Sequence, residues 1–351
     1  MENTLKIILV SPLPPPAGGI ATWTLKFQAY CIENDIPLTI VNSAVQGGRA
    51  KQINSKRQLI CEVQRTYDVL RGLKSQILKQ RPDVVHVNTS CSKFGIFRDL
   101  LCVLVADKEG IPTVIHCRCN VQDQVKGKMG IWALRTMANR AQKILTLNQQ
   151  SFEYVSAFAP GKTITVPNFI EQVLYERPTT RPAVRDVLFV GHVQRTKGAV
   201  EIIQAAEQLP EMRFILLGPV QADVAEMTVP NNVELRGNQP HDVVLNELKN
   251  ADLFLFPSYT EGFANALTEA MAAGLPVITT DVGANAEMIE DRGGIIVPVG
   301  ESEPIVAALN KLKDDVSLRE AMSTWNVEKV RCNYLREPVM QKLFAIYREV
   351  I

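Results

Sequence analysis

The sequence predicts an α/β protein of two units, each a parallel sheet with helices on both faces. Three observations predict it. Short β-rich runs alternate with helix-length mixtures of polar and apolar residues from end to end. The 351 residues, 46% of them hydrophobic, are enough for two cores of ordinary size. The charge is also divided. Residues 1–170 carry 21 Lys and Arg against 11 Asp and Glu, whereas residues 171–351 carry 17 against 26. A net charge of +1 therefore hides a basic half and an acidic half, as two units with different partners would show.

In the first half the β-rich runs are 6–10, 38–41, 84–87, 113–115 and 143–146. The first has too short an apolar stretch for a signal peptide, meets Pro12 almost at once, and reads as a buried strand. The loop after it holds Gly18 and Gly19 ahead of a helix, where backbone N–H groups can approach a phosphate or sugar with no Cβ in the way. Alone, such a pair is more often a plain turn. Residues 49–81 hold nine basic residues against Glu62 and Asp68. Leu59, Ile60, Val63, Tyr67, Leu70, Leu73 and Ile77 recur there at helical spacing. This stretch reads as a helix packed on the sheet with a solvated basic face, or as a face that docks on anionic lipid.

The run at 113–115 continues into His116-Cys117-Arg118-Cys119. On a strand His116 and Arg118 share one face, and Cys117 and Cys119 share the other, so one metal cannot readily collect all three of His116, Cys117 and Cys119. A lone histidine is usually a satisfied core residue, which is the plain reading of His116 and also of His86. Residues 175–185 combine two prolines, several charges and no periodicity, as a linker does. The expected domains are 1–172 and 183–336, followed by an amphipathic helix over 337–351.

In the second half the runs are 187–190, 214–217, 233–235, 253–256, 277–279 and 295–297. After the first comes Gly191-His192-Val193-Gln194-Arg195-Thr196-Lys197-Gly198, then a helical run. Lysine or arginine here can offset the charge of an anionic ligand. After 253–256 come Pro257 and Ser258, a loop with Glu261 and Gly262, and a helix starting near Ala264 that puts Glu269 about two turns in. Gly274 supplies a left-handed helix end and Pro276 prevents continuation. Amides at Phe263, Ala264, Asn265 and Ala266 would form an anion site at the helix start.

Glu261 and Glu269, eight residues apart and followed by Ala270-Met271-Ala272 and Gly274-Leu275-Pro276-Val277-Ile278, resemble the signature of the family-4 retaining glycosyltransferases, glycosyltransferase group 1. The resemblance implies the GT-B fold, two Rossmann-like domains whose parallel sheets face each other across a cleft. It implies that Glu261 faces a donor sugar, Glu269 holds the ribose of a nucleotide sugar, and Lys197 with Arg195 holds the diphosphate. His192 stands where the family often has arginine, and Arg118 where it commonly has a histidine contacting the sugar, with His116 two residues earlier. The glycine-rich loop at Gly18 and Gly19 would border donor and acceptor, and the last helix would cross back onto the first domain. The implied reaction moves a sugar, with retention, from a nucleotide sugar to a hydroxyl of a saccharide or lipid-linked saccharide, in cell-surface polysaccharide or glycolipid assembly. Two other readings share the fold: a sugar-nucleotide epimerase or phosphorylase, and a non-catalytic nucleotide-sugar-binding protein. The latter could dispense with Glu261 and Lys197.

Several classes find no support. No apolar run approaches the 18 or so residues that span a bilayer. Seven cysteines, an odd number with no C-x-x-C pair, suggest neither a disulfide framework nor a zinc site. Gly161-Lys162-Thr163 resembles the tail of a P-loop, but Ser156 occupies the first glycine's place. With no Asp-x-Asp pair, neither a metal nor another cofactor is expected. The basic half carries no nucleic-acid module. A cytoplasmic protein with reduced thiols is the expectation, peripheral on the cytoplasmic membrane face in the reading in which residues 49–81 dock on lipid.

Overall fold

The computed structural model describes residues 5–15, 18–44, 55–172 and 183–351, with the side chains of 55–60 left out. The linker expected at 175–185 lies outside the described residues up to position 182, as do Arg49 and Lys51. The chain divides into two compact units. Unit 1 is Met1–Val166 with Gln341–Ile351, and unit 2 is Pro167–Met340.

Unit 1 contains β1 (Ile7–Ser11), β2 (Leu38–Asn42), β3 (Val84–Thr89), β4 (Thr113–Cys117), β5 (Lys143–Thr146) and β6 (Thr163–Thr165). They form one sheet in the order β2-β1-β3-β4-β5-β6, every neighbouring pair parallel. β1, β3 and β4 are buried along their whole length, which is why they read as unbroken β-rich runs. β6 was not expected. It is three residues at the sheet's edge, partly exposed and too short to carry a pattern.

The basic stretch is helical over Ser55–Gln80. Val69, Leu73 and Ile77, one row at i, i+4 and i+8, are its buried face. Val63 and Tyr67, expected in the apolar face, are instead 65% and 59% exposed, because the sheet is contacted by a row two residues further round. The last helix, Arg336–Val350, belongs to unit 1 from Gln341 onward. Phe344 stacks on Phe27 at 6.1 Å between ring centroids, and Lys143 pairs with Glu349 at 2.6 Å.

Unit 2 contains β7 (Asp186–Val190), β8 (Arg213–Leu217), β9 (Val233–Leu235), β10 (Leu253–Phe256), β11 (Val277–Thr280) and β12 (Gly294–Val297). They form a second parallel sheet in the order β12-β11-β10-β7-β8-β9. β10 is buried on both faces, with Phe256 packed on Phe189 and Phe254. All seven cysteines are free. Among the described residues no helix is long and apolar enough to cross a membrane.

Candidate functional site

In unit 2 the strand order reverses beside β7, which has β8 on one side and β10 on the other. In an open parallel sheet, the crevice outside the C-terminal ends of such a strand pair is where ligands bind. After β7 the chain makes a single 3-10 turn, Arg195–Lys197, and after β10 it runs through Pro257 to Gly262. Gly198 locks the two segments together. Its φ is +79°, and a Cβ there would lie 2.2 Å from the Pro257 carbonyl oxygen. The Tyr259 amide donates to Thr196 O at 3.1 Å across the same seam.

The result is an ion pair at the mouth of the crevice. Lys197 Nζ lies 2.5 Å from Glu261 Oε1 and 3.4 Å from Thr260 O. Glu261 is 12% exposed and Lys197 23%, so both are largely desolvated yet reachable. A second glycine, absent from the sequence expectations, holds the other side of Glu261. Gly283, in the loop after β11, has φ +58°, and a Cβ there would sit 2.3 Å from Glu261 O. The signal was weak, a glycine three residues past a strand.

The helix after Glu261 is Asn265–Ala272, preceded by Ala264 in extended conformation. Its first amides have no acceptor within the helix. Phe263 and Ala264 are buried, whereas Asn265 and Ala266 are half-buried. Asn265 Oδ1 accepts from Asn168 Nδ2 at 2.8 Å. The helix ends as expected. Gly274 is left-handed at φ +70°, and the amides of Gly274 and Leu275 donate to Met271 O and Ala270 O. Glu269 is the helix's fifth residue, so it stands little more than one turn in rather than two. It is half-buried, with Oε1 3.9 Å from His241 Nε2.

His192 and Arg195 are both exposed. The Arg195 amide donates to Asp223 Oδ2 at 2.9 Å, which pins the turn through the backbone. Lys197 is the cation that this arrangement brings to Glu261. Behind it Tyr259 donates to Glu201 Oε1 at 2.7 Å, a bond that pushes the phenol's pKa up. Glu201 is 5% exposed and its Oε2 has no partner.

In unit 1, Gly18 and Gly19 open the helix Gly19–Glu33, with Gly18 extended. Apart from chain neighbours and the helix's own backbone, no atom of the described residues lies within 4 Å of where a Cβ would stand on either. His116 has no exposed surface. It stacks on His86 at 5.5 Å and meets Trp23 edge-on at 5.7 Å. Arg118, 9% exposed, lies 4.3 Å above the Trp23 ring, with Nη1 3.0 Å from His116 Nε2. His86 Nδ1 bonds to the Tyr347 hydroxyl. Burial and then the Arg118 charge lower both imidazoles, His86 to about 3, so both rings are neutral. Burial lowers Arg118 to about 9. Within unit 1, His116 is thus an interior residue that supports Arg118.

Residues 177–326 match the family model of the glycosyl transferases group 1, the family that the sequence resembles. Similar curated proteins include the capsular polysaccharide biosynthesis glycosyltransferase CapM of Staphylococcus aureus, 28% identical over 172 residues, 45% of this chain and 44% of that protein. The D-inositol 3-phosphate glycosyltransferase of Paenarthrobacter aurescens is 30% identical over 212 residues, 54% of this chain and 51% of that one. The chain spans about half the length of the curated relatives it matches. Among solved structures, sucrose-phosphate synthase from Thermosynechococcus elongatus is similar with TM-score 0.79 and 17% identity, covering 98% of each chain. Anabaena HepE in complex with UDP gives 0.74 and 16%, covering 98% of this chain and all of that one. These likenesses show the fold, which is GT-B.

Proposed function

We propose that this chain, whose residues 177–326 carry the group 1 glycosyl transferase match, is a retaining, metal-independent glycosyltransferase. It moves a sugar from a nucleotide sugar to a hydroxyl of a saccharide or lipid-linked saccharide. The observation that carries this reading is the Lys197–Glu261 pair at the switch point of unit 2, beside a helix start whose first amides have no acceptor within the helix. In this reading Glu261 orients the donor sugar, Glu269 the ribose, and Lys197 the diphosphate. The bond from the anomeric carbon to the diphosphate breaks as the acceptor oxygen bonds on the same face, and the acceptor's proton passes to the leaving diphosphate. Catalysis is then positioning and charge stabilisation. Incubation with a panel of sugar nucleotides tests it: slow hydrolysis of one donor is expected, and inertness toward all of them would overturn the reading.

Lys197 and the helix amides supply the positive charge that a divalent ion supplies elsewhere. Transfer is therefore expected to persist in EDTA. Complete loss, restored by magnesium or manganese, would overturn this account of the diphosphate site.

The protein docks, in this proposal, on an anionic membrane surface through the helix Ser55–Gln80. Arg71, Lys74 and Lys79 are exposed there, together with Val63, Tyr67 and Leu78. Arg65 leaves this face. It turns inward, donating to Ser43 O and Glu62. Exposed basic residues beside exposed apolar ones suit reversible docking at about 1 kcal/mol per charge. Sedimentation with vesicles is expected to require anionic lipid, to fall with salt, and to weaken when Arg71, Lys74 and Lys79 become Glu. Equal recovery with neutral vesicles would exclude docking.

A further inference from the structure

Unit 1 has a switch point of its own. β1 lies between β2 and β3, so the chain leaves its C-terminal end to one side and that of β3 to the other. Outside these strand ends lies a cavity of about 250 Å³ whose lining includes Arg65, Asn88, Ser90, Ser92, Lys93 and Arg98. Of these, only Arg65 entered the sequence reading, as one of the basic residues of 49–81. These six supply three cations, two hydroxyls and a carboxamide, and the Glu62 carboxylate lines the same cavity.

The polar groups converge on one point. A Cβ added to Gly95 would lie 2.6 Å from Ser92 Oγ, 3.7 Å from Arg98 Nη2 and 3.8 Å from Ser90 Oγ. Gly95 begins the 14-residue helix Gly95–Lys108, which has no acidic residue in its first turn and no side-chain cap. The helix's positive end therefore faces the same point. Arg65 and Arg98 stand close enough that the Arg98 charge lowers the Arg65 pKa, after burial, which lowers it most. Glu62 offsets Arg65 at 2.9 Å, and Asp99 offsets Arg98 at 2.6 Å. Lys93, exposed at the rim, adds a third positive charge. Asn88, 2% exposed, donates from Nδ2 to Ser11 Oγ at 3.0 Å, while its Oδ1 has no hydrogen-bond partner of normal length. That buried acceptor, whose amide also interacts with the His86 ring, can take a hydroxyl from the cavity.

We infer that this cavity binds a phosphorylated saccharide or polyol, its phosphate on Arg98, Ser90, Ser92 and Lys93 and a neighbouring hydroxyl on Asn88 Oδ1. This inference rests on the proposed function and deepens it. It makes the acceptor a phosphate-bearing molecule, either a soluble sugar phosphate or the phosphate end of a lipid-linked saccharide.

Titration calorimetry of the full chain tests it with inorganic phosphate, glycerol 3-phosphate and glucose as probes. Glycerol 3-phosphate is expected to bind more tightly than inorganic phosphate, and glucose not at all. Lys93→Glu and Ser92→Asp put negative charge at the rim on exposed residues, so the fold survives, and each is expected to weaken binding about tenfold or more. Gly95→Ala, which crowds the convergence point, gives a third reading. Vesicles bearing a polyprenyl phosphate that displace glycerol 3-phosphate identify a lipid-linked source, and failure to displace it identifies a soluble one. Both outcomes support the site. No phosphate binding, or equal binding by all three variants, overturns it. Hydrolysis of a sugar nucleotide, followed on the same samples, separates the two claims. Donor turnover without phosphate binding sinks only this site, and phosphate binding without turnover of any donor sinks only the glycosyltransferase reading.

Discussion

Replacing Lys197 with Ala is expected to lower the maximal rate about 10²- to 10³-fold while KM for the donor moves by no more than about threefold. The asymmetry comes from when the charge is needed. A nucleotide sugar carries its diphosphate charge before reaction, but that charge grows as the bond to the anomeric carbon breaks. An ammonium aimed at the diphosphate therefore contributes most in the transition state. Losing such a preorganised charge costs about 3–4 kcal/mol, which is the predicted loss in rate. Some stability should be lost as well, because Lys197→Ala leaves the largely desolvated Glu261 carboxylate without its ion-pair partner. Glu269→Ala is the contrast within the same experiment. Ribose contacts exist before and during the reaction, so KM should rise about tenfold with the rate kept within about threefold. Lys197→Arg keeps the charge but replaces a compact ammonium with a planar fork, and should recover only part of the rate. A Lys197→Ala enzyme with a rate within about twofold of wild type would remove Lys197 from the transition state.

Most of unit 2's site was legible because its geometry is local. Glu261, Gly262, Glu269 and Gly274 lie within one strand-loop-helix-strand segment, and a buried strand, a helix end and a proline stop each leave a sequence pattern. The tertiary part was not legible. Nothing in the order of residues says that Gly198 touches Pro257, or that Gly283 touches Glu261. Both contacts join segments that leave different strands of one sheet. The helix Ser55–Gln80 shows the same limit from the other direction. Apolar spacing identified a helix, but two apolar rows competed and only packing chose Val69, Leu73 and Ile77 over Val63 and Tyr67. The unit 1 cavity draws Arg65, Asn88 and Arg98 from separate elements, so no window of sequence contains it. Arg65, counted with the surface charge from sequence, becomes part of that cavity once the helix phase is known.

Gly198→Ala is expected to reduce kcat/KM about 100-fold or more and to lower stability as well. Two separate penalties meet at this residue. The first is conformational: φ of +79° is left-handed, and an alanine there is less favourable by about 1–2 kcal/mol. The second is steric. The new Cβ would stand 2.2 Å from Pro257 O and 2.6 Å from Pro257 Cγ, and the nearer atom is backbone at the end of a buried strand. Strand β10 cannot yield without disturbing its stacked phenylalanines, so the turn Arg195–Lys197 must move instead. Moving it breaks the Tyr259 to Thr196 bond and withdraws Lys197 from Glu261. A displacement near 1 Å at a reacting centre can lower rate about 100-fold. Gly237→Ala separates the two penalties. Gly237 is also left-handed, at φ +64°, but nothing lies within 4 Å of its added Cβ. It should lose about 1–2 kcal/mol of stability with kinetics unchanged. Measuring denaturation midpoints and donor kinetics for both variants decides the matter. If Gly198→Ala behaves like Gly237→Ala, with its chemistry intact, then the close approach of the two loops does not position Lys197.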